Sequence, residues 1–285
     1  MLKRINTTNE QELYKYFVKI GSQIPFYFTV DYDIWHKCMF NDTAEDGVTL
    51  FDELETFLYY EDDILKGFIQ FGISSFVFMD NGKDFDNHYA IIRNLHYSKD
   101  SKNPEEMLEA AFQYFNDKNI KEIDAFFHIF GMSCYARHGK LHESAFYIED
   151  LLYKYSFQKE HENVYFSKDL IEEKYFCDPE ISYEIHEIME GKYKMDFFVN
   201  KRQIGYCEYT FLHNSICYLY VIIIDKEYRR KGWGTKCMNI LFYISDKRKI
   251  KRLDLDTIDS NYTAQSFYEK IGFNRKGITR SYVKK

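Results

Sequence analysis

LYVIIIDKEYRRKGWGTK, residues 219–236, runs an apolar strand into a basic turn punctuated by glycine and then into the start of a helix. From Tyr218 to Ile224 the chain is aromatic and β-branched almost throughout, too short for a buried helix and stopped by charge, so it reads as a buried strand. Arg229, Arg230 and Lys231 follow as three successive cations. Gly232 and Gly234, on either side of Trp233, remove side chains where an anion must approach the backbone. From Thr235 to Ile244 the pattern is amphipathic and helical, and the free amides of such a first turn point at whatever the turn holds. The stretch predicts a site for a phosphorylated ligand.

Two familiar phosphate motifs do not fit. A P-loop needs Gly-Lys-Ser/Thr after its spacer, whereas the order here is Gly-Trp-Gly-Thr-Lys, which misplaces the metal-binding hydroxyl. A dinucleotide fingerprint needs a third glycine where Cys237 stands. The pattern that does match is Arg/Gln-x-x-Gly-x-Gly/Ala, carried by Arg229, Gly232 and Gly234. It resembles the acyl-CoA loop of the GNAT superfamily of N-acyltransferases.

Six residues are a short pattern, and the segments that follow give it specificity. RLDLDT at 252–257 reads as a strand, and NYTAQSFYEKIGF at 261–273 has the form of the family's closing helix. Ser260 or Asn261 is placed to cap that helix, Gly272 to end it in a left-handed conformation, and Phe273 to pin the chain beyond. The resemblance covers residues 181 to 285. It implies an α+β fold in α/β/α layers, a mixed, mostly antiparallel central sheet flanked by helices. It also implies acetyl-CoA as acyl donor, no metal, and transfer of an acetyl group to a primary amine of a small molecule, peptide or protein by direct attack on the thioester.

Counting back from Gly232 by the family's spacing puts the backbone groups that would hold pantetheine and polarise the thioester at Ile222, Ile223 and Ile224; the same triplet also reads simply as core. The implied donor site then comprises these three with Arg229, Arg230, Lys231, Gly232, Trp233, Gly234 and Thr235, while Asn261 either contacts the donor or caps its helix. Tyr268 stands where family members commonly place the tyrosine that protonates the departing thiolate, and a phenol of pKa ~10 suits that task. The competing reading is one tyrosine among 26 on an amphipathic helix. Some relatives carry a carboxylate base four residues before the oxyanion position, but Tyr218 occupies it here. Glu208 is the nearest alternative, on one face with Tyr206 and Ile204 by strict alternation; a solvated or ion-paired glutamate is the plainer reading.

The chain also repeats its own grammar. Ile64 to Ser74, Tyr89 to Tyr97, a helical run from Pro104 to Asn116, the segment from Lys121, and Tyr153 to Phe157 follow the order seen between Gln203 and Phe273. This predicts two related domains, 1–172 and 173–285. Between Tyr97 and Glu105 no glycine occurs, so the first is expected to be a degenerate copy without a pyrophosphate cradle. The second half reads as strands ahead of Gln203, without the two helices that usually precede that strand.

Composition bounds the rest. A net charge of −7 and pI near 5.8 disfavour nucleic-acid binding, against which the cations at 229–231 stand out. Six cysteines without a Cys-x-x-Cys, and no N-terminal signal sequence, point to reduced thiols in the cytoplasm. No apolar run approaches the ~20 residues of a membrane span. His128, Cys134, His138 and His142 fall within fifteen residues, and the last three, spaced four apart, would line one face of a helix and suggest a metal, but Gly131 and Gly139 interrupt the stretch and the spacing is no standard zinc signature. A function of another class also fits the loop, a non-catalytic acyl-CoA-binding regulator. Oligomeric state and the identity of the acceptor are not written in these residues.

Overall fold

The structure is a computed structural model that describes residues 1–43, 47–75, 89–170, 175–212 and 215–285. Along the chain come β1 (Leu2–Arg4), α1 (Glu10–Gly21), α2 (Tyr32–Phe40), β2 (Glu53–Glu61), β3 (Ile64–Ser74), β4 (Tyr89–Tyr97), α3 (Glu105–Asp117), β5 (Ile123–Ala125), β6 (Leu141–His142), α4 (Phe146–Lys154) and β7 (Gln158–Asp169). Then follow β8 (Ser182–Met189), β9 (Lys192–Val199), β10 (Arg202–Leu212), β11 (Ile216–Ile224), α5 (Trp233–Lys247), β12 (Arg252–Ile258), α6 (Tyr262–Lys270) and β13 (Asn274–Lys284). No described helix is long and apolar enough to cross a membrane.

These residues form two compact units, one of Met1–Glu162 with Ile278–Lys285 and one of Asn163–Gly277. The expected division at 172/173 lies outside the described residues. In the first unit the strands run β1-β2-β3-β4-β5 and then the end of β13; in the second they run from the end of β7 through β12-β11-β10-β9 to β8. Each unit has one parallel pair, β4 with β5 and β11 with β12, and is otherwise antiparallel. A parallel pair needs a crossover, and α3 and α5 supply it. Both helices present an apolar stripe: Met107, Leu108, Ala111 and Phe115 on α3, and Cys237, Met238, Ile240, Leu241 and Phe242 on α5. Those stripes pack into separate cores, one containing Phe71, Ile92 and Tyr282, the other Phe166, Cys207 and Leu255.

The repeat holds to the register. In β11 pairing with β10 slips between Glu208 and Tyr209, leaving Tyr220 as an extra, bulged residue. In β4 it slips between Gln70 and Phe71, leaving Arg93 in the same way. Counting from the two bulges matches Gln70 with Glu208 and Gly67 with Gly205. Both glycines lie under a neighbouring carbonyl: a Cβ would meet His96 O at 2.6 Å in one unit and Ile223 O at 2.1 Å in the other. The closing strands match as well, since Tyr282 pairs with Ala125 and Phe166 with Leu255.

The units differ ahead of this motif. α1 and α2 precede β2 in the first, whereas the described residues between 175 and 202 of the second form only β8 and β9. One expectation fails: Ile204 does not share a face with Tyr206 and Glu208. The register of β10 against β9 shifts between Gln203 and Gly205, and Ile204 turns into the apolar core with Cys207.

Candidate active site

β11 and β12 begin side by side and then part. Their register runs Ile216–Arg252, Cys217–Leu253, Tyr218–Asp254 and Leu219–Leu255, and goes no further. Beyond it β11 continues to Ile224 on β10 alone, with Ile222 opposite Cys207, Ile223 opposite Tyr206 and Ile224 opposite Gly205. Among the described residues, the edge of β11 that faces away from β10 therefore has no strand beside it beyond the bulged Tyr220. Unpaired backbone N–H and C=O groups on a strand edge are a ready template for an extended polar ligand. Ile222 and Ile224 pack their side chains against the core while Ile223 is 36% exposed, so only two of the three residues are core by side chain.

The fork leads into the basic turn. A short 3-10 turn at Lys226–Tyr228 ends at Arg229, whose Nε donates to Ile224 O at 2.6 Å and ties the turn to the strand. Arg230 takes a left-handed φ of 59°, and Arg230 and Lys231 are exposed. Gly232 is left-handed at φ 85° and precedes the first turn of α5, and the space where its Cβ would stand is open. Gly234 is closer packed, with Phe267 ring atoms 3.4 Å from the position of a Cβ. Trp233 and Thr235 are half-buried in that first turn. Lys236 lies 4.7 Å over the Trp233 ring and is held by Asp178 at 2.9 Å and by Glu180. The turn thus offers helix amides, two exposed cations and a backbone unobstructed at Gly232.

At the head of the fork stands a carboxylate that the sequence reading overlooked. Asp256 is the first residue of β12 beyond its paired stretch; it accepts from Tyr218 Oη at 2.6 Å and from Asn163 Nδ2. Tyr268, on α6, is 8% exposed among Phe166, Phe267 and Phe273, and burial followed by the charge of Asp256 pushes its phenol up to about 12. It stays protonated across the physiological range. Tyr218 is buried and shifted further up, first by burial and then by Asp256. Asn261 caps α6, its side chain accepting from Ala264 N at 3.2 Å. Glu208 stands opposite Val221, beside the bulge, but its carboxylate faces Lys192 Nζ at 3.5 Å. Asp256 was legible only as one acid among four between 254 and 269; nothing local marks it as the one at the fork.

The first unit meets the same fork differently. β4 and β5 pair only over Ala90–Ile92 and Ile123–Ala125, and the bulged Arg93 is buried there. Its guanidinium bonds Asp42 at 2.7 Å, Phe130 O at 2.7 Å and Cys38 O at 3.0 Å. Cys134, His138 and His142 do not share a helix, because the segment from His128 folds as two 3-10 turns and β6. Among the described residues no group of three or more His, Cys, Asp or Glu is placed to hold a metal ion.

A tandem of two α+β units, each with a bulged strand parting from its parallel neighbour, is the class of fold that this geometry defines. Residues 155–273 match the model of the Acetyltransferase (GNAT) family. Over 64 residues the chain is 36% identical to [ribosomal protein bS18]-alanine N-acetyltransferase of Escherichia coli (strain K12), covering 22% of this chain and 43% of that protein. It is 27% identical over 99 residues, 34% of this chain, to a putative [ribosomal protein bS18]-alanine N-acetyltransferase of Bacillus subtilis (strain 168), spanning 65% of that relative. The matched region thus spans less than half of the first relative and just under two thirds of the second. Two solved structures share the whole architecture at TM-score 0.66: a tandem GNAT protein from the clavulanic acid biosynthesis pathway, 7% identical, with 99% of this chain and 97% of that one covered, and a GCN5-related N-acetyltransferase from Sphaerobacter thermophilus, 6% identical, with 100% and 95% covered. Residues 155–273 thus match the GNAT family, and the whole chain shares its fold with a tandem GNAT protein.

Proposed function

We propose that the second unit binds acetyl-CoA and transfers its acetyl group to a primary amine. The observation that carries this reading is the fork: pairing of β11 with β12 stops at Leu219 and Leu255, one residue before the bulge, and the open edge leads to the basic turn. The pyrophosphate sits on the first-turn amides of α5 around Gly232, Trp233, Gly234 and Thr235, with Arg230 and Lys231 beside it and Arg229 bracing the turn. Pantetheine extends along Ile224, Ile223 and Ile222, adding a strand-like edge to β11, and delivers the thioester to the bulge, where a backbone N–H polarises its carbonyl.

Two side chains complete the reaction. Asp256 accepts the proton of the attacking amine, since it alone of the two candidate carboxylates stands at the head of the fork, whereas Glu208 is paired with Lys192. Tyr268, kept neutral by burial, gives its proton to the thiolate that leaves. The acceptor is an amine, and the ribosomal-protein alanine in the relatives' names makes a peptide amine the first to test. One donor site per chain follows, because Leu152 stands in α4 at the position that Tyr268 holds in α6.

Release of free thiol from acetyl-CoA across a panel of amines and alanine-ended peptides tests the reading, with calorimetry of donor binding alongside. Turnover with at least one amine is expected. Binding without any turnover would instead favour a non-catalytic acyl-CoA-binding regulator. In Gly234→Glu the longer side chain is driven against Phe267 and into the turn, so donor binding is lost while the fold persists; unchanged affinity would make the turn structural only.

A further inference from the structure

The polar face of β9, β10 and β11 already holds an amine beside the bulge. Lys192 opens β9, and its Nζ stands 3.5 Å from Glu208 Oε2 and 4.9 Å above the centre of the Tyr220 ring. The side chain is 18% exposed. By register Lys192 lies opposite Thr210 and Thr210 opposite Tyr218, while Glu208 lies opposite Val221. The lysine therefore reaches diagonally across β10 toward the residue at which β11 leaves β12. The next lysine on this face does not. Lys194 is paired with Asp196 at 3.1 Å and lies over Tyr206, whose partner Ile223 is two residues nearer the basic turn.

A donor held with its pyrophosphate at Gly232 and its arm along Ile224 to Ile222 brings its thioester to the bulge, the end of the face where Lys192 stands. A lysine fixed there by an ion pair and an aromatic ring has lost most of its rotamer freedom before any reaction, which is what makes a positioned nucleophile effective.

We propose that Lys192 is itself an acetyl acceptor, modified by the donor bound in the same unit. The step rests on the acetyl-transfer reading above. The Lys192 ammonium gives one proton to Glu208, and the neutral Nζ attacks the thioester carbonyl. The C–N bond forms as the C–S bond breaks. The thiolate takes a proton from Tyr268, which is restored by the second proton released from the amine. Acetyl-CoA and a lysine ammonium become N-acetyl-lysine, CoA thiol and one proton, passed from Glu208 to solvent. The product no longer carries the cation that faces Glu208. Self-acetylation thereby converts an internal ion pair into a carboxylate open to the ammonium of an external acceptor.

The test incubates the full chain with acetyl-CoA and follows intact mass and mapped peptides over time, with donor binding and thiol release measured on the same sample. Acetylation of Lys192 about tenfold or more faster than that of the exposed Lys15 and Lys249 is expected, the margin that positioning readily provides. It should slow about tenfold or more in folded Tyr268→Phe. It should also fall in folded Gly234→Glu, which does not touch the face of Lys192, and Lys192→Arg should carry no acetyl group at 192. A protein that binds acetyl-CoA and acetylates an external amine while Lys192 stays unmodified overturns the self-acetylation and leaves the enzyme reading standing. So does acetylation that favours Lys194, or that is indifferent to Tyr268→Phe and Gly234→Glu. A protein that binds no acetyl-CoA overturns both.

Discussion

In the proposed reaction Tyr268 and Asp256 take opposite roles, the one giving a proton and the other accepting it. The phenol is buried among three phenylalanines, which keeps it protonated, while the Asp256 carboxylate accepts from Tyr218 and Asn163. In Tyr268→Phe the turnover number should fall about 10²-fold or more, with donor affinity nearly unchanged. Asp256→Asn should cost turnover likewise, whereas Glu208→Gln should act mainly on KM for the amine. The reverse pattern in steady-state kinetics would move the base to Glu208. A different acid sets a pH dependence in the first unit. Burial, then the charges of Glu160 and Glu122, raise Asp124 to about 7. Its folded value lies above the unfolded one, so the native state holds the extra proton. Stability from this group is present in acid and is lost as pH rises through about 7. Asp124→Asn, which stays neutral, should raise the unfolding midpoint at pH 8 more than at pH 5, where the native carboxyl is already protonated; equal shifts at both would show that the charge is not the cause.

At the scale of elements, the turn and the fork were legible to different degrees. The turn was readable because it is local: cations, glycines and the helix start lie within eight residues, and at Gly232, which is left-handed, the space of a side chain is open. Gly232→Ala would place a Cβ on that conformation at a cost of about 1–2 kcal/mol, weakening donor binding without unfolding the unit. Thermal melts set beside calorimetry would separate the two effects. The strand and helix order was legible for the same reason, and so were the strands β8 and β9 that stand directly ahead of β10. What sequence reasoning missed depends on register. Strict alternation put Ile204 on the wrong face because a single bulge resets the period of two. Asp256 gained its place from the point at which β11 leaves β12, a non-local fact. A helix through Cys134 and His142 does not form because Gly131 and Gly139 close on one another, so that a Cβ added at Gly139 would lie only 2.9 Å from Gly131 Cα. Gly205→Ala should show how rigid the fork is: its Cβ would strike Ile223 O, a backbone atom that cannot swing away, so a lowered melting temperature is expected together with weaker donor binding.

Across the whole molecule, each unit is completed by a strand that follows the other half of the repeat. Asn163–Asp169 pairs with β12 in the second unit, and Ile278–Lys284 supplies the strand that pairs with β5 in the first. Arg280 secures the latter through Glu162 and, at 3.3 Å, Glu149, and Tyr282 donates to Glu149 at 3.0 Å. A fragment of residues 173–285 omits Val164 and Phe166, both fully buried in the second core, and should fail to show a cooperative unfolding transition; a fragment of 163–277 should show one. The same exchange fixes an order of events during synthesis. The amino-terminal unit has nearly all of its sequence early, yet Tyr282, which its core needs, emerges only after the second unit has been made in full. The half that is translated first is thus the half that finishes last, and until residue 284 is free of the ribosome β5 keeps an open edge on which a chaperone, or a neighbouring nascent chain, can act.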